Sequence, residues 1–87
     1  MKAITLFYLK NCPFCKKAFA YIDELKKQDV YKDIELELIE ESEKPELADQ
    51  YDYYYVPTFY IDGEKVHEGG IFPDEVEEIL KKALELP

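Results

Sequence analysis

The chain has 87 residues, 47% of them hydrophobic, and a net charge of −9. This length fits one domain over residues 1–87, and the hydrophobic content excludes a disordered chain. The negative charge argues against a phosphate-binding face, so we expect no nucleic-acid and no membrane partner. Because no long apolar run and no signal-peptide pattern occurs, the sequence predicts a cytoplasmic protein, which we expect to be a monomer.

The first half of the chain predicts a strand, a helix and a second strand. The apolar run from Ala3 to Tyr8 is typical of a strand that is buried on both faces. Asn11 as a cap and Pro13 in the first turn predict the start of a helix, which should fade near Gln28 to Val30. The alternating segment from Ile34 to Ile39 predicts a strand with one buried face, near a sheet edge.

The second half predicts a helix, a hairpin and a final helix. The expected elements are a helix over Ser42 to Tyr51, strands over Thr58 to Ile61 and Glu64 to Glu68, and a helix opened by Pro73. Asp62-Gly63 is a strong signal for the turn of a hairpin. The order β-α-β-α-β-β-α predicts an α/β fold: a four-stranded mixed sheet with helices on both faces. Its first two strands should be parallel, and its apolar strands should lie in the middle.

Cys12 and Cys15 are the only cysteines, and they lie three positions apart in the stretch KNCPFC. A disulfide that closes so short a loop restricts the unfolded chain very little, so a purely structural role is a weak interpretation. A zinc site usually needs four ligands. The one histidine, His67, is distant in sequence and should be an exposed residue of the hairpin, so we expect no metal site. A redox-active pair is the remaining hypothesis.

The motif follows a buried strand and opens a helix, at the carboxyl edge of the sheet where α/β folds place their sites. Backbone N–H groups of the first turn favour a thiolate at Cys12. A helix end contributes only about 0.3–1 kcal/mol, so a cation should also help, and Lys10 is the nearest candidate in the loop. Cys15 falls on the apolar stripe and should be buried. Cys12 would then attack a substrate disulfide, and Cys15 would resolve the mixed disulfide.

Together these features resemble the glutaredoxins and, more broadly, the small thioredoxin-fold proteins. The resemblance rests on Cys12-Pro13-Phe14-Cys15 after the first strand, Val56-Pro57-Thr58 before the third, and Gly69-Gly70 before the last helix. It implies a thiol–disulfide oxidoreductase that serves electron transport and cell redox homeostasis. It also implies disulfide-containing proteins and glutathione as partners, with glutathione as the reductant and no tightly bound cofactor.

The resemblance also implies roles for the residues around the cysteines. Pro57 would be a cis-proline that faces them, and the backbone of Val56 would pair with an extended peptide or with glutathione. Pro13 would shape the turn, and Phe14 would point outward as a contact for partners. The remaining residues expected to bind the substrate are Lys10, Tyr55, Gly69 and Gly70.

Several alternatives stay open at the level of sequence. The chain could be reduced by a flavoprotein reductase, as a thioredoxin is, or it could carry an iron–sulfur cluster with glutathione. A third alternative is an interaction module without catalysis. The tyrosines at positions 51 and 53–55 could pack against the sheet or form a recognition surface. Ile71-Phe72-Pro73 stands between the glycine pair and Asp74, where glutaredoxins place residues that hold glutathione.

Overall fold

The computed structural model describes residues 1–86 and contains the seven elements in the predicted order. The strands are β1 (Ile4–Tyr8), β2 (Leu36–Glu40), β3 (Thr58–Ile61) and β4 (Glu64–Glu68). The helices are α1 (Pro13–Leu25), α2 (Pro45–Ala48) and α3 (Pro73–Ala83). Proline occupies the first turn of each helix, where its missing N–H has no intrahelical partner to lose.

The four strands form one mixed sheet in the order β2-β1-β3-β4. β1 and β2 are parallel, while β1 with β3 and β3 with β4 are antiparallel. The two apolar strands therefore lie in the middle and the two charged strands at the edges, as the sequence predicts. Asp62 and Gly63 both have positive φ angles, 50° and 82°, which is the geometry of the predicted tight hairpin turn.

Side chains from the two faces of the sheet form two separate hydrophobic clusters. Ile4, Leu6 and Phe59 point to one face, where they pack against residues of α1 and α3. Phe7 and Tyr60 point to the other face, where they pack against α2 and the segment that follows it. Helices therefore cover both faces of the sheet, which is the thioredoxin-like architecture that the sequence predicts.

Three predicted boundaries are wrong by a few residues, and two of them have a local reason. β2 begins at Leu36 because the Ile34 N–H donates to the Tyr31 carbonyl in a preceding turn, 3.1 Å away. α2 is a single turn rather than a helix from Ser42, because the Glu40 carboxylate accepts both the N–H and the hydroxyl of Ser42. α1 ends at Leu25, before the predicted range.

Across residues 1–86, every helix is too short or too polar to cross a lipid bilayer.

Candidate dithiol active site

Cys12 lies at the start of α1, four residues after β1 ends. Its backbone is extended, with φ −86° and ψ 116°, and its sulfur accepts the N–H of Cys15 at 3.2 Å. Cys12 is thus the N-cap residue, and the expectation that Asn11 caps the helix is wrong. Because Pro13 takes the first helical position, the residue before it supplies the acceptor. The amide contact and the positive end of the helix both favour negative charge on the Cys12 sulfur.

Cys15 lies one turn further along α1 and is only 1% exposed. Burial, followed by the neighbouring Cys12 side chain, raises the pKa of Cys15 from 9.0 to about 12. Cys12 is partly exposed. The two sulfurs therefore differ in access, and only Cys12 can be reached by an incoming disulfide.

The burial of Cys15 predicts that the second step of a dithiol cycle quickens with pH. Because burial, the largest cause of the raised pKa of Cys15, is still present when Cys12 is in a mixed disulfide, the Cys15 thiolate stays a minor species that increases about tenfold per pH unit. Release of a thiol from a mixed disulfide on Cys12 should therefore accelerate about tenfold per unit from about pH 6 to about pH 9. Single-turnover release of a chromophoric thiol measures this rate. A plateau below pH 8 would contradict the assignment.

The loop before β3 faces the cysteine pair. The Val56-Pro57 bond is cis, which confirms the expectation from the resemblance. The Cys12 thiol lies 3.9 Å from the carbonyl oxygen of Val56, to which it donates. The Gly69 N–H donates to the Pro57 carbonyl at 2.8 Å, and the Thr58 hydroxyl donates to the Tyr55 carbonyl. The Gly69 contact therefore joins this loop to the end of β4, and the Thr58 contact fixes the backbone of the loop itself.

A cavity of about 390 Å³ opens beside Cys12, and Lys10 lines it. The Lys10 ammonium forms an ion pair with Glu43, whose hydrogen bond and charge raise the pKa of Lys10. The lysine thus lies at the site, but its charge is shared with a carboxylate. Its role as the cation that assists Cys12 stays a prediction.

Glu40 is a site residue that the sequence analysis missed. It is a buried carboxylate at the end of β2 and lines the cavity beside Cys12. It accepts the Lys10 N–H at 3.2 Å and two hydrogen bonds from Ser42, and these contacts lower its pKa. Glu40 therefore anchors the loop that carries Cys12. The sequence shows only a charged residue directly after a predicted strand. The contact of Glu40 with the Lys10 N–H depends on the sheet, in which Glu40 pairs with Tyr8 just before the loop.

The glycine pair lies beside the site, between side chains from two other segments. A methyl group placed on Gly70 would lie 3.3 Å from the Phe14 ring, and one on Gly69 would lie 3.9 Å from the Tyr55 Cβ. Gly69 has a φ angle of +90°, which favours glycine for a second reason. His67 is not an exposed strand residue as expected. Its ring is mostly covered, and its Nε2 lies 2.8 Å from the Gly70 carbonyl.

The tyrosine-rich stretch divides into two pairs. Tyr51 and Tyr53 pack on Phe7 with ring centroids 4.7 and 5.0 Å apart, which agrees with the packing interpretation. Tyr54 and Tyr55 are exposed, so packing does not account for them.

No group of three or more histidine, cysteine, aspartate and glutamate side chains within residues 1–86 is arranged to hold a metal ion. A second, larger cavity of about 610 Å³ lies between β4 and α3 and is lined by charged side chains of both signs. It contains neither cysteine, so we locate the candidate chemistry at the smaller cavity.

The parallel β1–β2 pair, the antiparallel hairpin and the three helices, together with a cysteine pair at the start of α1, define a protein of the thioredoxin-fold class. A sequence model of the thioredoxin domain matches residues 2–81, so this chain belongs to the thioredoxin-domain family. No curated protein matches the sequence significantly. Family membership indicates thiol–disulfide redox chemistry in general, and the glutaredoxin subtype stays a prediction.

Solved thioredoxin structures share the fold. A mutant thioredoxin from Halobacterium salinarum is 27% identical, with a TM-score of 0.72 over 99% of this chain and 77% of that one. A thioredoxin from Malassezia sympodialis is 15% identical, with a TM-score of 0.74 over 94% of this chain and 74% of that one. An oxidised thioredoxin from Plasmodium falciparum is 21% identical, with a TM-score of 0.70 over 93% and 79% of the two chains.

Proposed function

We propose that this chain is a thiol–disulfide oxidoreductase that reduces disulfides of other proteins through Cys12 and Cys15. The observation that carries the proposal is the asymmetry of the pair. The Cys12 sulfur is accessible and accepts an amide N–H at 3.2 Å, while Cys15 is only 1% exposed. An accessible nucleophile beside a protected resolving thiol is what a two-step exchange requires.

The reaction balances as a transfer of two electrons from the cysteine pair to the substrate. The Cys12 thiolate attacks one sulfur of the substrate disulfide, forms a mixed disulfide and releases the other sulfur as a thiolate. Cys15 then loses its proton and attacks the Cys12 sulfur. The Cys12–Cys15 disulfide forms, and the second substrate thiolate leaves. An external dithiol or a pair of thiols must reduce the oxidised protein before the next cycle.

The likeness to glutaredoxins suggests glutathione as that reductant. The residues at the start of α3, however, favour an electron donor other than glutathione. Glutathione is a peptide with two carboxylates, and a carboxylate needs free N–H donors or a cation. Here the Phe72 N–H donates to the Glu75 carboxylate at 3.0 Å, and Pro73 has no N–H. Asp74 and Glu75 add negative charge in the same turn. We therefore propose a flavoprotein reductase as the electron donor.

Coupled assays with a protein disulfide as substrate test this function. We expect faster turnover with NADPH and a thioredoxin reductase than with glutathione and glutathione reductase at equal protein concentration. Because reductases differ in partner specificity, several thioredoxin reductases should be compared, with chemically pre-reduced protein as a control for substrate reduction. Rapid turnover with glutathione and none with any of the reductases would reverse the choice of electron donor. Failure of the pre-reduced protein to reduce any disulfide would remove the proposed function.

A further inference from the structure

Two side chains of β4 hold the backbone of the loop before β3. The Oε2 atom of Glu68 accepts the N–H groups of Tyr54 at 2.6 Å and Tyr55 at 3.0 Å. The Lys65 ammonium donates to the other oxygen of this carboxylate at 2.7 Å and to the Asp52 carbonyl at 3.1 Å. We call Lys65 and Glu68 the hairpin clamp, because they join the hairpin to the backbone of this loop.

An irregularity in β4 places both clamp residues on one face of the sheet. In a regular strand neighbouring side chains alternate, so two residues three positions apart point to opposite faces. Here His67 pairs with Phe59 of β3. The next residue of β3, Tyr60, pairs with Lys65, so Val66 is the extra residue of a β-bulge. Bulges redirect side chains and are frequent beside active sites, and this one turns both clamp residues towards the loop.

The contacts of the neighbouring side chains agree with this division of β4. Val66 packs against the cluster between the sheet and the helices α1 and α3. The Nδ1 atom of His67 lies 3.9 Å from the Glu75 carboxylate of α3, on the same side. On the opposite side, the Tyr60 hydroxyl donates to the Asp52 carbonyl at 2.9 Å, and this oxygen also accepts from the clamp. The bulge therefore separates packing contacts from clamp contacts.

The carboxylate of the clamp is charged and partly shielded from water. The hydrogen bond from Lys65, followed by those from the two N–H groups, lowers the pKa of Glu68 from 4.5 to about 2. The Glu68 side chain is only 20% exposed. Hydrogen bonds to an ionised acceptor are shorter and stronger than those between neutral groups. The clamp therefore restrains the loop more firmly than a neutral side chain at this position would.

The restrained backbone lies on both sides of Val56. The Val56 carbonyl oxygen is 3.9 Å from the Cys12 sulfur. The residue before it, Tyr55, is bonded to the clamp. The residue after it, Pro57, accepts the Gly69 N–H at 2.8 Å. The position of this carbonyl beside the sulfur thus depends on contacts with the end of β4.

We propose that Glu68 is a positioning residue for disulfide exchange, which together with Lys65 fixes the loop before β3 before a substrate arrives. This inference rests on the proposed function and adds two residues to its site. A substrate chain whose sulfur reaches Cys12 has to pass the Val56 carbonyl, so it meets the restrained backbone. Because this backbone is already ordered, less conformational freedom is lost when the substrate binds.

The test compares two disulfides that release the same leaving group. One is a short neutral peptide whose single cysteine is joined to 2-thiopyridine, and the other is 2,2′-dithiodipyridine, which is too small to lie along the loop. The full chain carries Cys15→Ser, so that only the first attack is measured. In both reactions the Cys12 sulfur bonds to one sulfur of the disulfide and 2-thiopyridine leaves. The ratio of the two rate constants therefore reports the contribution of the loop.

We expect Glu68→Ala to lower the ratio of the peptide rate to the 2,2′-dithiodipyridine rate by about tenfold. Glu68→Gln keeps one oxygen acceptor and the size of the side chain but loses the charge, so it should lower the ratio less. It also repeats the test if circular dichroism shows that Glu68→Ala is unfolded. The control is Glu64→Ala, which removes an equal charge from an exposed position of the same strand and should leave the ratio unchanged.

Amide hydrogen exchange measured by NMR gives a second readout that does not depend on the reaction. The side chains of Tyr54 and Tyr55 are exposed, so protection of their N–H groups reports the contact with Glu68. We expect Glu68→Ala to speed exchange of these two amides by about tenfold or more. Glu64→Ala should not change it.

Equal ratios for Glu68→Ala, or for Glu68→Gln if the alanine variant is unfolded, and Glu64→Ala would overturn the proposal, as would equal exchange at Tyr54 and Tyr55 in the compared variants. If the chain with Cys15→Ser reacts with both disulfides and the Glu68 variants match the control, only the positioning role is wrong. If Cys12 does not react even with 2,2′-dithiodipyridine, the proposed function is wrong, and this inference with it.

Discussion

Replacing Cys12 by serine is expected to abolish the reduction of disulfides completely. A hydroxyl forms no disulfide with the substrate, and the sulfur of Cys15 cannot substitute for it because Cys15 is buried and its pKa is raised to about 12. The measurement is turnover of a protein disulfide, with circular dichroism to show that the variant is folded. Retained turnover would mean that Cys12 is not the nucleophile.

Cys15→Ser is the matched control because it affects the other half of the cycle. It should leave the first attack in place, so one equivalent of substrate becomes attached to Cys12 and turnover then stops. Mass spectrometry of the intact protein measures the added mass. If Cys15→Ser also prevented attachment, the division of roles between the two sulfurs would be wrong.

Replacing Phe59 by alanine is expected to lower the free energy of unfolding by about 3–5 kcal/mol. The Phe59 side chain is 0% exposed. It lies in the middle of β3, where Leu6 is its partner on one side and His67 on the other. Loss of the ring removes apolar burial and leaves a cavity between the sheet and the helices α1 and α3. Because domains are stabilised by only about 5–15 kcal/mol, this is a large share of the total.

Urea unfolding of the reduced protein measures this change. Val30→Ala serves as the control, because Val30 is 51% exposed and lies in a turn. It should change the free energy of unfolding by no more than about 0.5 kcal/mol. A similar small change for Phe59→Ala would mean that the cluster between the sheet and the two long helices does not determine stability.

Much of the fold follows from local patterns in the chain. Thr58 to Ile61 forms the predicted strand, Asp62-Gly63 the predicted turn, and Pro73 opens the last helix as predicted. These signals work because proline restricts the φ angle and glycine widens the range of φ angles that the backbone can adopt. A short apolar run between turn residues is also a reliable signal, because it can be buried in few ways other than as a strand. The signals fail at Ser42, where a side chain from another element decides the local conformation.

The difference between the two cysteines was also present in the sequence. Cys12 directly precedes a proline that opens a helix, and Cys15 falls on the apolar stripe of that helix. Local spacing therefore determined which sulfur is accessible and which is buried. No contact with a distant segment is needed to set this difference, because the spacing of the two cysteines along the helix already sets it.

Only the tertiary structure decided what surrounds the pair. Glu40 reaches Lys10 in the loop before Cys12 because β2 lies beside β1 in register, although the two residues are 30 positions apart in the sequence. Glu68 likewise fixes Tyr54 and Tyr55 because the hairpin returns past the loop before β3. The sequence does not show which group a carboxylate will contact. A hydrogen bond requires a distance of about 3 Å, and the topology of the folded chain sets that distance. The sequence thus determined the spacing and the helix position of the two cysteines, and the packing of distant segments determined the contacts that hold the loops beside them.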